Sequence, residues 1–243
     1  MATKTKMKTL NVQTIYPAFM GEVNECGIGA PCVFIRLAGC NLRCYEKTRG
    51  CLCDTPEALA MTSGEQMSVS DIIQAVLPIG RNVVCLTGGE PLLQDVTELL
   101  TELTAWGNKV VVETNGSVSI KKYLNIPNVS FVVDVKASST GEQEKMLESN
   151  YKLMRKCDFV KFVIDTDGDY KEMLKWVVSH GNSYKGNIGV GLFWGSKMSY
   201  QELMTRLHRD DIYAYLNMQN HKMACLYDRE KDALSDLTIP KTL

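Results

Sequence analysis

The chain has 243 residues, 45% of them hydrophobic, with 27 basic and 28 acidic side chains and a formal net charge of −1. That length and apolar content suit a single large domain, residues 1–243, with a full core. The balanced charge gives no general reason to expect nucleic acid or an acidic membrane surface as a partner. No run of about 18 apolar residues is present to span a bilayer. The basic start MATKTKMKTLNVQ lacks the apolar core of a signal peptide, so a cytoplasmic protein is expected.

Taken in chain order, strand-length apolar runs alternate with segments of helical period. Residues 33–37 read as a strand, and a cysteine-bearing loop follows. Residues 45–67 are polar, contain Gly50 and Gly64, and show no clear period, which predicts a long loop, and such loops in compact domains are usually functional or disordered. Ser68 is a plausible N-cap for a helix whose Val69, Ile72, Ile73, Val76 and Leu77 share one face. A strand at 82–86 ends in Thr87-Gly88-Gly89-Glu90-Pro91. The amphipathic positions Leu92, Leu93, Val96, Leu99, Leu100 and Leu103 then predict a second helix, stopping near Gly107.

Further strands are predicted at 109–113, 130–135, 159–164, 188–193 and 212–218, rich in β-branched and aromatic residues. Met173, Leu174 and Val177 mark another helix, and Ser199 with Glu202 spells a capping box before a last one. Strand and helix in alternation imply an α/β fold with a parallel sheet and right-handed crossovers. Periodicity alone leaves an open doubly wound sheet and a complete or partial barrel as alternatives.

Nine cysteines are present, and six of them (Cys26, Cys32, Cys40, Cys44, Cys51 and Cys53) lie within 28 residues. An odd count in a large chain argues against a disulfide framework and for metal or catalysis. Thiolates hold both iron–sulfur clusters and zinc, so the cluster of thiols alone admits either. Polar residues also end three successive predicted strands: Gly88-Gly89-Glu90, then Glu113-Thr114-Asn115-Gly116, then Asp134-Val135-Lys136. Parallel α/β sheets place their active sites at those ends.

The motifs GCNLRC, TGGEP, ETNG and DVK, in this order, resemble the radical S-adenosylmethionine superfamily. FIRLAGCNLRC with a later CDT, the upstream Gly21-Glu22 and the late Gln219-Asn220-His221-Lys222 resemble its 7-carboxy-7-deazaguanine synthase family, over about residues 10 to 223. The resemblance implies a partial TIM-type barrel. It implies a [4Fe–4S] cluster on three cysteines, with S-adenosylmethionine chelating the fourth iron. It also implies a 5′-deoxyadenosyl radical that abstracts hydrogen from 6-carboxy-5,6,7,8-tetrahydropterin, with ring contraction and loss of ammonia to 7-carboxy-7-deazaguanine, a precursor of nucleosides such as queuosine.

Carried over residue by residue, the resemblance assigns Cys40 and Cys44 to the cluster. The usual third position is Lys47 here, so either Cys51 or Cys53 serves; Cys53 is preferred because it precedes Asp54-Thr55. The segment 45–67 then holds an insertion in the cluster loop, and 223–243 is a C-terminal extension. Gly88, Gly89, Glu90, Thr114, Asn115 and Lys136 are assigned to S-adenosylmethionine. Gly21, Glu22, Arg36 and His221 are assigned to the pterin, and Thr55 to Mg2+. Met20 stands where the family commonly has glutamine. A homodimer and an electron donor such as a flavodoxin are also implied. A glycyl-radical activase and a zinc-binding interaction module are the alternatives.

Overall fold

The computed structural model describes residues 8–50, 53–181 and 184–220. Strand β1 (Thr9–Phe19) turns back antiparallel into β2 (Pro31–Leu37). A short helix, α1 (Glu46–Arg49), and 3-10 turns at Pro56–Ala58 and Met61–Ser63 follow. Strand β3 (Glu65–Ser68) then pairs antiparallel with the start of β1.

The rest winds as strand and helix: α2 (Val69–Val76), β4 (Val83–Gly88), α3 (Thr97–Ala105), β5 (Lys109–Thr114), β6 (Val129–Val135) and α4 (Glu148–Lys152) come first. β7 (Phe159–Ile164), α5 (Asp167–His180), β8 (Asn187–Leu192), α6 (Tyr200–Arg209) and β9 (Tyr215–Leu216) complete it. The sheet order is β3-β1-β2-β4-β5-β6-β7-β8-β9. Every pairing from β2 to β9 is parallel. β3 and β9 are the two edges and do not pair, so the sheet curves into a partial TIM-type barrel without closing.

Alternation along each strand separates two environments. Val84, Leu86, Val110, Val112, Phe131, Val133, Val160 and Phe162 pack outward against helix residues such as Ile72, Leu99, Leu103 and Met173. The opposite face begins with Cys32, Cys85, Val111, Val132 and Phe159, which with Met20 and Val23 plug one end of the barrel. Further along that inner face the residue types change to Arg36, Thr87, Glu113, Asp134 and Lys161, and these line an open cavity. The interior therefore turns from apolar to charged at the C-terminal ends of the strands.

Helix entries are fixed by local hydrogen bonds. The Ser68 hydroxyl accepts from Asp71 N–H at 3.1 Å, and the Asp71 carboxylate accepts from Ser68 N–H at 3.2 Å, a capping box for α2. Thr166 and Asp169 repeat the device at α5, and the Ser199 hydroxyl caps α6. Among the described residues no helix is long and apolar enough to cross a membrane.

Four features differ from the sequence-based expectation. β1 and β3 add an antiparallel pair. Residues 45–67 hold α1, two 3-10 turns and most of β3 rather than a featureless loop. The helix expected from Leu92 to Leu103 is split into a 3-10 turn at Pro91–Leu93 and α3. Gln94 is extended there because its amide bonds Asn11 O and Ala38 O, each at 3.1 Å. The Asp95 carboxylate then accepts from Thr97 N–H at 3.2 Å, one step into the restarted helix. The last strand spans only Tyr215–Leu216 of the expected 212–218.

Candidate active site

The C-terminal ends of the strands open into a cavity of about 610 Å³, lined among others by Cys40, Cys44, Cys53, Arg36, Glu113 and Lys161. That size falls in the ordinary range for small-molecule sites, roughly 300–1,000 Å³.

The cysteines stand on one rim. The loop after β2 is held by Gly39 N–H donating to Ala58 O at 2.8 Å and Cys40 N–H donating to Leu59 O at 3.1 Å. The 3-10 turn that follows Cys53-Asp54-Thr55 is thereby fastened against Cys40. The Cys40 sulfur accepts from Leu42 N–H at 3.5 Å and from Asn115 Nδ2 at 3.7 Å. Burial raises the Cys44 thiol and pushes Cys53 up to about 11, which favours the protonated thiols. Ligation requires the thiolate, and a bound metal supplies the charge that releases the proton. Among the described residues, no three metal-ligating side chains converge as a closed site. The donor chemistry nonetheless fits an iron–sulfur cluster: three thiols line one cavity, and soft thiolates are what such clusters take. Cys51 lies outside the described residues. Thr55 is on the same cavity wall, its hydroxyl 3.3 Å from Asp54 Oδ1.

The Gly-Gly turn after β4 is packed onto the cysteine loop. Gly88 has φ +147°, and a Cβ there would lie 2.1 Å from Leu37 O; one on Gly89 would lie 2.4 Å from Gly39 O. Only glycine permits this approach. Gly89 N–H donates to Leu37 O at 3.1 Å, and Glu90 N–H to Gly39 O at 2.8 Å. Gly88, Gly89, Thr114, Asn115 and Lys136 face the cavity. Glu90 lies behind its wall, fully buried. Its carboxylate accepts from Leu92 N–H at 3.0 Å, Thr114 Oγ1 at 2.8 Å and Asn115 N–H at 2.6 Å, and so ties the Gly-Gly turn to the end of β5. Burial pushes its pKa up to about 7 against the opposing pull of those three donors.

The floor is a charged layer. Glu22, on the loop after β1, meets Lys161 of β7 and accepts from Gln219 Nε2 at 2.7 Å. Lys161 also lies 3.1 Å from Asp134, whose other oxygen is 2.5 Å from Lys136. Burial alone would raise Glu22, but the Lys161 charge and the Lys161 and Gln219 hydrogen bonds outweigh it and hold the carboxyl below its usual value. Asp134 is likewise held down, against burial, by Lys136 and Lys161. Glu113 goes the other way, raised by burial and by the nearby Glu22 charge. Arg36, beside Tyr16 and Glu113, stays firmly cationic despite its burial.

The chain is 35% identical over 219 residues to the 7-carboxy-7-deazaguanine synthase of Methanospirillum hungatei JF-1, a match covering 88% of this chain and 84% of that one. It is 38% identical over 167 residues to the synthase of Clostridium acetobutylicum, covering 67% and 73%. The chain belongs to the 7-carboxy-7-deazaguanine synthase family. A 31% identical match to the synthase of Chlorobaculum tepidum covers 88% of this chain and 93% of that one. The fold matches the crystal structure of QueE from Escherichia coli with a TM-score of 0.67 at 19% identity, covering 86% of this chain and 93% of that one. No protein-family model matches the chain.

Of the residues singled out for the synthase chemistry, twelve line this cavity: Cys40, Cys44, Cys53, Thr55, Gly88, Gly89, Thr114, Asn115, Lys136, Gly21, Glu22 and Arg36. Glu90 stands one layer behind, and His221 lies outside the described residues. Glu113 and Gln219 stood in sequence motifs without an assigned role, and Lys161 was passed over. The signal for Lys161 was present: in FVKFVI the alternation that sends Val160 and Phe162 to the helices sends Lys161 to the opposite face. A cation in the middle of a buried strand needs carboxylates opposite it.

Proposed function

We propose that the chain converts 6-carboxy-5,6,7,8-tetrahydropterin to 7-carboxy-7-deazaguanine with loss of ammonia, as a carbon–nitrogen lyase of the radical S-adenosylmethionine class. Cys40, Cys44 and Cys53 would hold a [4Fe–4S] cluster. Gly88, Gly89, Thr114, Asn115 and Lys136 would meet S-adenosylmethionine, with Glu90 fixing the two turns that carry them. When bound, the cluster and the sulfonium nucleotide supply the hydrogen-abstracting radical chemistry. The observation that carries the reading is that three thiols and a charged floor open into one cavity of substrate size.

The chain's own residues then bind and orient the pterin. Arg36 offers a guanidinium that stays cationic and can take the substrate carboxylate with two hydrogen bonds. Glu22, held ionised, can accept from the amide and amino N–H groups at the other end of the ring. Glu113, raised toward its neutral form, can donate or pass a proton between them. Thr55 on the rim gives a neutral oxygen for Mg2+, which would share the substrate carboxylate. His221, a homodimer, a flavodoxin-like electron donor, a cytoplasmic setting, a single domain, the cluster-loop insertion at 45–67 and the extension at 223–243 belong to the same reading. The buried Glu22–Lys161–Asp134 floor favours a small polar substrate over the glycine-bearing protein loop that an activase would need, and leaves a zinc interaction module without use for it.

The test is anaerobic reconstitution with iron and sulfide, followed by incubation with S-adenosylmethionine, dithionite and the carboxy-tetrahydropterin, with and without Mg2+. Formation of 7-carboxy-7-deazaguanine, faster with Mg2+, is the expected result. A protein that binds one zinc, holds no iron and leaves the pterin unchanged would overturn it.

A further inference from the structure

We propose that Lys161 is a positioning residue for Glu22: from a rigid strand it fixes the charge and direction of a loop carboxylate that faces the cavity, and so sets the site's preference for a ligand presenting N–H donors. The proposal rests on the pterin reading of the site and adds a residue to it.

Glu22 lies in the segment between β1 and β2, which has no regular structure of its own at that point. Two side chains hold its carboxylate: Gln219 at one oxygen, at 2.7 Å, and Lys161 at the other. Gln219 is itself outside any helix or strand and has a positive φ of 48°. Lys161 is different. Its backbone is paired on both sides, to Asp134 of β6 and to Gly189 of β8. Sites held by strands are better fixed than sites held by loops.

The ammonium reaches Glu22 and also lies 3.1 Å from Asp134 Oδ1, with all three side chains mostly buried. Asp134 is already paired with Lys136, so the group balances as two cations and two carboxylates, one of them Glu22. Cys44, Tyr45, Tyr151 and Glu90 face the Asp134–Lys136 end of this cluster, and other groups face its Glu22–Lys161 end. Glu113 of β5 is raised toward neutrality, and Arg36 of β2 sits beside Tyr16 and Glu113. The Tyr200 hydroxyl of α6, which also senses Glu22, donates to Asn217 O at 2.9 Å.

Without Lys161, Glu22 would keep its burial and lose its principal counter-charge. Burial favours the protonated carboxyl, so the pKa rises and the acceptor turns partly into a donor at neutral pH. A ligand whose N–H groups point at it then meets a donor in place of an acceptor. The loss is reversible by raising the pH, because deprotonation restores the acceptor. A lysine that merely supported the fold would give no such recovery.

Lys161→Met, with Lys161→Gln as a second variant should the first fail to fold, is compared with the wild type and with Lys161→Arg in the reconstituted enzyme between pH 6 and 9. At pH 7 the KM for the pterin is expected to rise about 10- to 100-fold, the loss of one charge-assisted partner. kcat and iron content should stay within about threefold, since the residue touches neither cluster nor cofactor in this assignment. KM should fall again toward pH 9 and be largely restored by Lys161→Arg. A carboxyl 13C NMR titration of Glu22 in the full-length protein without substrate gives a second readout. Glu22 should titrate below the usual carboxylate range in the wild type and above it in the methionine and glutamine variants. An unchanged Glu22 titration, or a KM that is raised equally at every pH, overturns the proposal. A wild type that ignores the pterin while Glu22 still shifts overturns the substrate reading instead.

Discussion

At the scale of single residues, the cavity wall carries two assignments that can be separated by substitution. Cys53 lines the cavity with Cys40 and Cys44. Cys53→Ala is expected to leave the reconstituted protein with less than half of its cluster iron and no turnover, and Cys51→Ala to retain both; iron analysis with absorbance near 400 nm reads the difference. Glu90 makes a separate prediction. Its pKa is pushed up to about 7 from an ordinary value of 4.5. A carboxyl raised in the folded state favours folding while it is protonated and loses that advantage as pH rises through the folded pKa. Wild-type stability should therefore fall, through this group, between pH 4.5 and 7, by an order of magnitude of ~3 kcal/mol. Glu90→Gln removes the titration. Its amide NH2 must, however, face Leu92 N–H or Asn115 N–H, both of which donate to the carboxylate. The variant should be less stable than wild type at pH 4.5 and close the gap toward pH 7, as read by urea denaturation.

At the scale of elements, the contacts that hold the segment after Cys44 can be tested. Tyr45, immediately after Cys44, has a left-handed φ of 65°, a conformation that costs a non-glycine residue on the order of 1 kcal/mol. What holds it is Tyr45 N–H donating to Thr140 O at 2.8 Å and its ring lying 4.6 Å from Phe193. At the end of α1, Arg49 stacks 4.8 Å from the same Phe193 ring and pairs with Asp165, whose side chain is 1% exposed. Arg49→Ala leaves that carboxylate buried without its cation. The expected loss is about 1–3 kcal/mol, less than for a fully buried pair because Arg49 is partly solvated. Adding Asp165→Asn should recover part of it, and a double-mutant cycle in urea measures the coupling.

These elements were also the hardest to foresee. α1 spans four residues and β3 four, too short to show a period against the polar background of 45–67. β1 alternates only weakly because most of its residues are half-buried, and Pro17 within it argues against a central strand. By contrast the parallel strands β4 to β8 were legible to within about two residues at each end, whereas β9 is far shorter than expected. The central strands are buried on both sides, so KVVVE and SFVVDV are nearly continuous apolar runs. Twelve of the residues singled out line the cavity, most of them because they end those strands or follow them. Glu90 shows where motif reasoning stops: its place in the sequence is that of a ligand-facing residue, while three local donors turn its carboxylate into the wall.

At the scale of the whole molecule, the fold brings an apolar plug, a charged layer and a thiol rim into register along one axis. The alternation of each strand makes this possible. One face commits to the helices, which leaves the other free to change from Val111 and Val132 to Glu113 and Asp134 within two residues. The partial barrel leaves its sheet unpaired between β3 and β9. The central claim is that cluster, sulfonium nucleotide and pterin meet in this one cavity. It is tested most directly by isotope transfer: the reconstituted enzyme is given ring-deuterated 6-carboxytetrahydropterin, and the 5′-deoxyadenosine is analysed by mass spectrometry. Deuterium in the deoxyadenosine, with stoichiometric 7-carboxy-7-deazaguanine, is the predicted result. Deoxyadenosine that forms at the same rate without the pterin and never carries deuterium would contradict the account.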